Sequence, residues 1–305
     1  MKEMTYRTIT SRKRNLFLGL FCLCLLIDGC VREDTGNCSR YSLSVKVVDT
    51  EGNDITASGV VSSVTFYLFN ENGFVQIIPQ EPSAVFVWQK DKDKSLTLVA
   101  WGNLKTDSLK VPQLAVGTSL EAACVELLQR TNGSYLPSTD LFYGKLELSE
   151  ADTRSDPGGT NVTLSLQRMA SAISIRTSSF REHFGETQSG ENCRIIVRDA
   201  GNALNFLGRT TGNAAGYEPD VREDSEGDFY ASNFYVFPTE EDSSLAIDIY
   251  RGDERLFTTT TDEEGEPLQA PAGKQLNVTI DFAHARAKVT VTVSPWQQAG
   301  QQTEM

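Results

Sequence analysis

From residue 42 onward, apolar and polar positions alternate in short runs, and that two-residue period predicts β-strands along almost the whole chain. Residues 42–47 set the pattern: Leu43, Val45 and Val47 share one side, Ser42, Ser44 and Lys46 the other. Residues 60–69 repeat it with aromatic enrichment, placing Val64, Phe66 and Leu68 opposite Thr65, Tyr67 and Phe69. Glu71-Asn72-Gly73 then reads as a turn, because Asn and Gly accept positive φ at little cost, and residues 74–78 return as the second arm of a hairpin. Residues 85–88 and 96–101 follow across a charged turn at 90–94, then 142–148 and 162–166 across an acidic loop at 149–160. A second set of strands is predicted at 172–175, 193–197, 203–207, 229–237, 245–250, 255–260, 275–282 and 288–293. Gly201-Asn202, Gly212-Asn213, Gly252-Asp253, Gly265 and Pro271-Ala272-Gly273 are the turn signals among them. One segment breaks the period. In residues 118–129, Leu120, Ala123, Cys124, Leu127 and Leu128 recur at three- and four-residue spacing behind Thr118 or Ser119, which predicts a helix.

Short strands at near-regular spacing, broken by turns and without crossover helices, predict an all-β chain built of antiparallel β-sandwiches. The junction is expected near residues 168–171, giving one sandwich at 41–168, a second at 169–296 and a polar tail at 297–305. Leu164, Leu166, Ile173 and Ile175 alternate with Ser165, Gln167 and Ser174 across that junction and are expected to be buried.

The start of the chain follows a different pattern. Arg12, Lys13 and Arg14 precede an apolar run of twelve, residues 16–27, and Gly29-Cys30 follows at once. A charged start, a short apolar core and a small residue before the cut make a secretory signal, and a spanning helix needs about 20 apolar residues. The residues around Gly29-Cys30 resemble a bacterial lipobox, with Asp28 the one departure. Residues 1–29 are therefore expected to be removed, Cys30 to become the acylated first residue, and 30–40 to serve as a tether. Val31-Arg32-Glu33-Asp34 resembles the charged tag that sends Bacteroidetes lipoproteins to the outside of the outer membrane.

Removal of the signal takes five cations and two anions from a chain of net charge −13, leaving 276 residues at −16. Such acidity argues against nucleic acid as a partner, since phosphate contact needs Lys and Arg. Of six cysteines, Cys38, Cys124 and Cys193 remain unlipidated in the mature chain, and their spacing leaves the pairing open. With His183 and His284 the only histidines, neither a metal site nor a Ser-His-Asp or Cys-His centre is expected, and no cofactor is implied. The acidic runs 223–228 and 262–266 do not match an EF-hand loop and read as solvated turns. Trp88 and Trp101 sit in apolar strands and are expected in the core, whereas Trp296 follows the last strand. Asp107-Ser108-Leu109 resembles a short bacterial O-glycosylation motif at Ser108.

Several stretches together resemble the Bacteroidetes fimbrial anchor family, the subunits that tether type V fimbriae. They are Cys30 with Cys38 eight residues on, the strand–turn–strand from Val64 to Phe74, the run from Leu96 to Asn103, and Phe142-Tyr143-Gly144 followed by the run from Val162 to Ile175. The resemblance implies two transthyretin-like sandwiches, no enzymatic activity, major or minor fimbrillin shaft subunits as partners, and assembly by strand exchange. The terminal strand supplies a candidate donor: Ala287, Val289, Val291 and Val293 share one face, Lys288, Thr290, Thr292 and Ser294 the other, and Pro295 ends the ladder. The same strand could instead simply complete its own sandwich. A surface glycan-binding lipoprotein and a fimbrial tip adhesin are the alternative functions.

Overall fold

Alternation becomes strand in nearly every place it was read. The computed structural model describes residues 38–80, 86–91, 95–148, 160–186 and 192–296. Its first half holds β1 (Cys38–Val48), β2 (Val64–Asn70), β3 (Gly73–Gln80), β4 (Phe86–Asp91), β5 (Leu96–Gly102), β6 (Leu109–Lys110), β7 (Cys124–Leu127), β8 (Phe142–Leu148) and β9 (Thr160–Arg168). The second half holds β10 (Ser171–Ser178), a one-turn helix α1 (Phe180–Phe184), β11 (Cys193–Asn205), β12 (Thr210–Tyr217) and β13 (Arg222–Glu223). It continues through β14 (Phe229–Val236), β15 (Ala246–Arg251), β16 (Glu254–Thr259), β17 (Lys274–Asp281) and β18 (Lys288–Pro295).

The strands form three sheets. The first runs β3-β2-β5-β8-β9-β1-β4, the second β13-β14-β10-β17-β18, and the third β16-β15-β11-β7-β6, with β12 also paired to β11. Apolar residues line both faces of the first sheet. Leu43, Val47, Phe66, Leu68, Leu98, Leu164 and Leu166 pack into one core. Tyr67, Phe69, Val99 and Trp101 face a larger core that also takes Ile173, Ile175, Val197 and Leu204. Leu164, Leu166, Ile173 and Ile175 are all buried, as their alternation requires. At the centre of the larger core, the Phe206 ring meets Tyr67 at 4.8 Å, Trp101 at 5.7 Å and Phe69 at 5.8 Å, mostly edge-to-face.

Glycine fixes two of these joints. Gly73 follows the Asn72 turn with φ of +101°, and a Cβ there would lie 2.5 Å from the Gly117 carbonyl. Gly144 lies in β8, where a Cβ would meet the Ser165 carbonyl oxygen at 2.4 Å and Leu164 Cδ2 at 2.6 Å. Only a residue without a Cβ lets β9 approach β8 this closely.

Four expectations are corrected. Residues 118–129 are not helical: after a turn, Cys124–Leu127 form a strand that pairs antiparallel with β11 and β6. The segment contains Thr, Ser, Cys and Val, which are middling helix formers, and two flanking strands satisfy its backbone instead. The burial shows the difference, because Val125 is fully buried and lies off the face that a helix would have turned inward. Gly201-Asn202 and Gly212-Asn213 are not turns. They lie inside β11 and β12, where the ladder shifts register between Gly201 and Ala203, and the chain reverses at residues 206–209. Finally, not every pair is antiparallel: β1 runs parallel to β9, and β10 parallel to β17. A parallel pair needs a long crossover, and β2 to β8 supply one between β1 and β9 with no α-helix among the described residues.

The acidic runs close on themselves. Asp224 accepts N–H bonds from Glu226 and Asp228, and Asp262 accepts them from Glu264 and Glu266. Cys124 and Cys193 lie near opposite ends of β11, Cys124 opposite Asn205 and Cys193 its first residue. About twelve residues of strand separate them, roughly 40 Å, far beyond disulfide reach. Cys30, the side chains of Cys38 and Trp88, the loop at 149–159 and the tail at 297–305 lie outside the described residues.

Candidate functional site: the C-terminal edge strand

The strand singled out in the sequence, β18, is the last strand of the second sheet and pairs antiparallel with β17 along its whole length, from Lys288↔Asp281 to Pro295↔Lys274. Its inward residues oppose the best-buried stretch of β17: Val289 faces Ile280, Val291 faces Val278 and Val293 faces Leu276. All three β17 partners are buried, but cover thins along β18 itself. Val289 is 5% exposed, Ala287 and Val291 are half-buried, and Val293 is 49% exposed. Lys288, Thr290 and Thr292 on the other face are exposed. The structure thus brings Val289, Val291 and Val293 onto one face of β18, with Ala287 just ahead of the strand and packed against the same core, and it shows that face as a partly covered apolar strip.

The backbone settles which groups stand on the free edge. The Glu263 N–H donates to the Val289 carbonyl at 2.8 Å, so Val289 points its backbone groups away from β17. Alternate residues of an antiparallel ladder point the same way, so those of Val291, Val293 and Pro295 also face outward. Among the described residues no backbone partner meets Val291 or Val293 on that side. Pro295, lacking an N–H, limits the open stretch at one end, and Glu263, paired to Lys288 at 3.0 Å, closes the other.

Beyond Pro295 the chain is tied down by a cluster that sequence patterning does not reveal. The Arg168 guanidinium lies over the Trp296 ring at 4.2 Å from its centroid and over the Phe142 ring at 4.8 Å. Its Nε and Nη2 donate to the two carboxylate oxygens of Asp140 at 2.6 and 2.9 Å. Trp296 also stacks on Tyr235, 5.0 Å between centroids at 28°. Burial pushes the Asp140 carboxyl above its ordinary range against the opposing pull of Arg168, and burial likewise raises the Tyr235 hydroxyl. Trp296 was marked by its place after the last strand and Arg168 by its family-like stretch. Asp140 and Tyr235 carry no local signal, because four distant segments meet only in the fold. Trp101, by contrast, is a core residue, fully buried beside Tyr143 and Phe206.

Ser108, the residue of the glycosylation-like motif, is half-buried in the turn before β6, where its carbonyl accepts the Leu128 N–H.

Comparison with known proteins agrees with the strand pattern. The model of the fimbrillin-A associated anchor proteins Mfa1 and Mfa2 matches residues 34–301. The major fimbrium anchoring subunit FimB of Porphyromonas gingivalis is 27% identical over 290 residues, which cover 91% of this chain and 92% of that one. Among solved structures, the fimbrial anchor protein Mfa2 from Porphyromonas gingivalis is similar in fold, with a TM-score of 0.61 at 15% identity, covering 84% of this chain and 98% of the other. A candidate adhesin from Bacteroides ovatus is comparably similar, with a TM-score of 0.60 at 12% identity over 84% of this chain and 95% of its own. At these identities the two structures speak for the fold alone. The match over residues 34–301 carries more: this chain belongs to the fimbrillin-A associated anchor protein family.

Proposed function

We propose that this protein is an anchoring subunit that holds a fimbrium at the outer membrane and limits its length, without turning over a substrate. The observation that carries the reading is its family membership together with similarity, over nearly the full length of both chains, to a major fimbrium anchoring subunit. The signal-like residues 1–29 and Cys30 support attachment through lipid, since two or three acyl chains hold a protein stably in a membrane. The half-covered strip of Ala287, Val289, Val291 and Val293, with an open backbone edge beside it, supports contact with a fimbrillin shaft subunit through strand pairing. Division into sandwiches at 41–168 and 169–296 belongs to the same reading. It is supported by a first sheet drawn wholly from the first half and a second drawn wholly from the second, whereas the third sheet joins β6 and β7 of the first half to β11 of the second and the larger core takes residues from both.

The test is electron microscopy of a deletion strain with immunoblotting of shed fibres. Loss of the protein should give long, poorly attached fibres in the medium, and normal length and retention would overturn the anchor reading. Val291→Asp places a charge on the apolar strip, where an unpaired carboxylate is costly, and should detach fibres while the lipoprotein stays in the membrane. If only this variant behaves normally, the assignment of β18 falls and the anchor role stands.

A further inference from the structure

The two halves of β18 are held by different means. The first half is fixed by Val289 in the core, by the Glu263 N–H on its carbonyl and by the Lys288–Glu263 pair. The second half has its ladder to β17, the thinly covered Val291 and Val293, and then Trp296. The base on which Trp296 sits is rigid. Arg168 is gripped by Asp140 through two bonds, lies against Phe142, and its side chain is 6% exposed.

We propose that Trp296 is a positioning residue for the contact strand: seated on Arg168 and Tyr235, it keeps the second half of β18 in the sheet, and unseating it frees that half to pair with a neighbouring subunit while the first half stays docked. The proposal rests on the reading that β18 meets the neighbouring subunit. The physical case is that a strand on a sheet edge has one ladder instead of two, so its end frays unless side chains hold it. Val293 covers too little apolar surface to do so, whereas a cation over an indole face in a partly dry site, joined to an aromatic stack, is a strong local tether. A strand freed from residue 291 onward would present Val291 and Val293 on one face and Thr292 and Ser294 on the other, which is the pattern that strand addition reads.

Hydrogen exchange of the full mature chain, read residue by residue, tests the tether. The amides of Thr292 and Ser294, which face β17, should exchange about tenfold or more faster in Trp296→Ala, while Thr290 and the β10–β17 ladder keep their protection. Trp296→Phe, which retains a ring over the guanidinium, should restore most of the protection. Unchanged exchange at Thr292 and Ser294, or equal acceleration across the whole sheet, would overturn the tether. Fibre retention in a strain carrying Trp296→Ala separates this from the contact reading. Faster exchange with altered retention supports both; faster exchange with unaltered retention upholds the tether and overturns the contact.

Discussion

Gly144→Ala reverses the sign that backbone propensity gives. Gly144 has an ordinary strand backbone, so alanine there should reduce the freedom of the unfolded chain and stabilise the fold by about 0.5–1 kcal/mol. The structure predicts the opposite. The new Cβ would lie 2.4 Å from the Ser165 carbonyl oxygen, 2.6 Å from Leu164 Cδ2 and 3.0 Å from Leu166 Cδ2. A leucine methyl can rotate away, but the carbonyl belongs to β9, and moving it means separating two strands of the first sheet. Overpacking costs about 1–3 kcal/mol, and contact with a carbonyl that cannot move alone puts this site at about 2–3 kcal/mol, which leaves a net loss of about 1–2.5 kcal/mol. For a chain of this size that lowers the melting temperature by about 2–6 °C. Gly216→Ala is the control, because among the described residues its Cβ would meet only Ile196 Cγ2 within 4 Å, at 3.9 Å, and it should be neutral or stabilising. Thermal unfolding of both variants followed by circular dichroism makes the comparison. A Gly144→Ala protein as stable as wild type, or more so, would refute the close approach of β8 and β9 and the packing built on it.

Two other variants examine different parts of the fold. Asp248 is fully buried; burial alone would raise its carboxyl, but bonds from Arg198 at 2.5 Å and Thr258 at 2.6 Å outweigh that and hold it below its ordinary value. A depressed carboxyl adds stability above its unfolded value of about 4, and that stability is lost as pH falls through the folded value. Wild-type melting temperature should therefore drop below about pH 4 more steeply than that of Asp248→Asn, and parallel curves would refute the role of this pair. Phe206→Ala removes the ring shared by Tyr67, Phe69 and Trp101 and should cost about 3–5 kcal/mol in denaturant titration, against a result under 1 kcal/mol that would place the centre of the larger core elsewhere.

Sequence patterning reached the strands because half-buried strands write a two-residue period into the chain, as in Leu43, Val45 and Val47, and because β2, buried on both faces, stands out as an aromatic-rich run. It failed where a distant partner decides the local structure. Residues 118–129 hold a helical spacing of apolar positions, yet pairing of Val125 with Leu204 and of Leu127 with Leu109 makes part of the segment a strand. Gly201 and Gly212 look like turns because glycine signals positive φ or close approach without saying which, and here they accompany shifts within a ladder. For the candidate site, the apolar face of β18 was legible from alternation alone. Its uneven cover depends on what the rest of the sandwich places beside it. Arg168, Phe142 and Trp296 stood out along the chain, but the clamp they form with Asp140 and Tyr235 was not legible, because residues 140–142, 168, 235 and 296 are four segments far apart in the sequence that meet only in the fold.

The central claim, that this chain ties a fimbrium to the membrane through its first mature residue, is most directly tested by Cys30→Ala. Cells carrying the variant would be labelled with palmitate, and fibres recovered from the medium would be imaged with gold-labelled antibody to this protein. The account predicts an unacylated protein released from the membrane, together with shed fibres that carry the label at one end. A variant that stays in the membrane with its fibres attached, or shed fibres without label at either end, would contradict it.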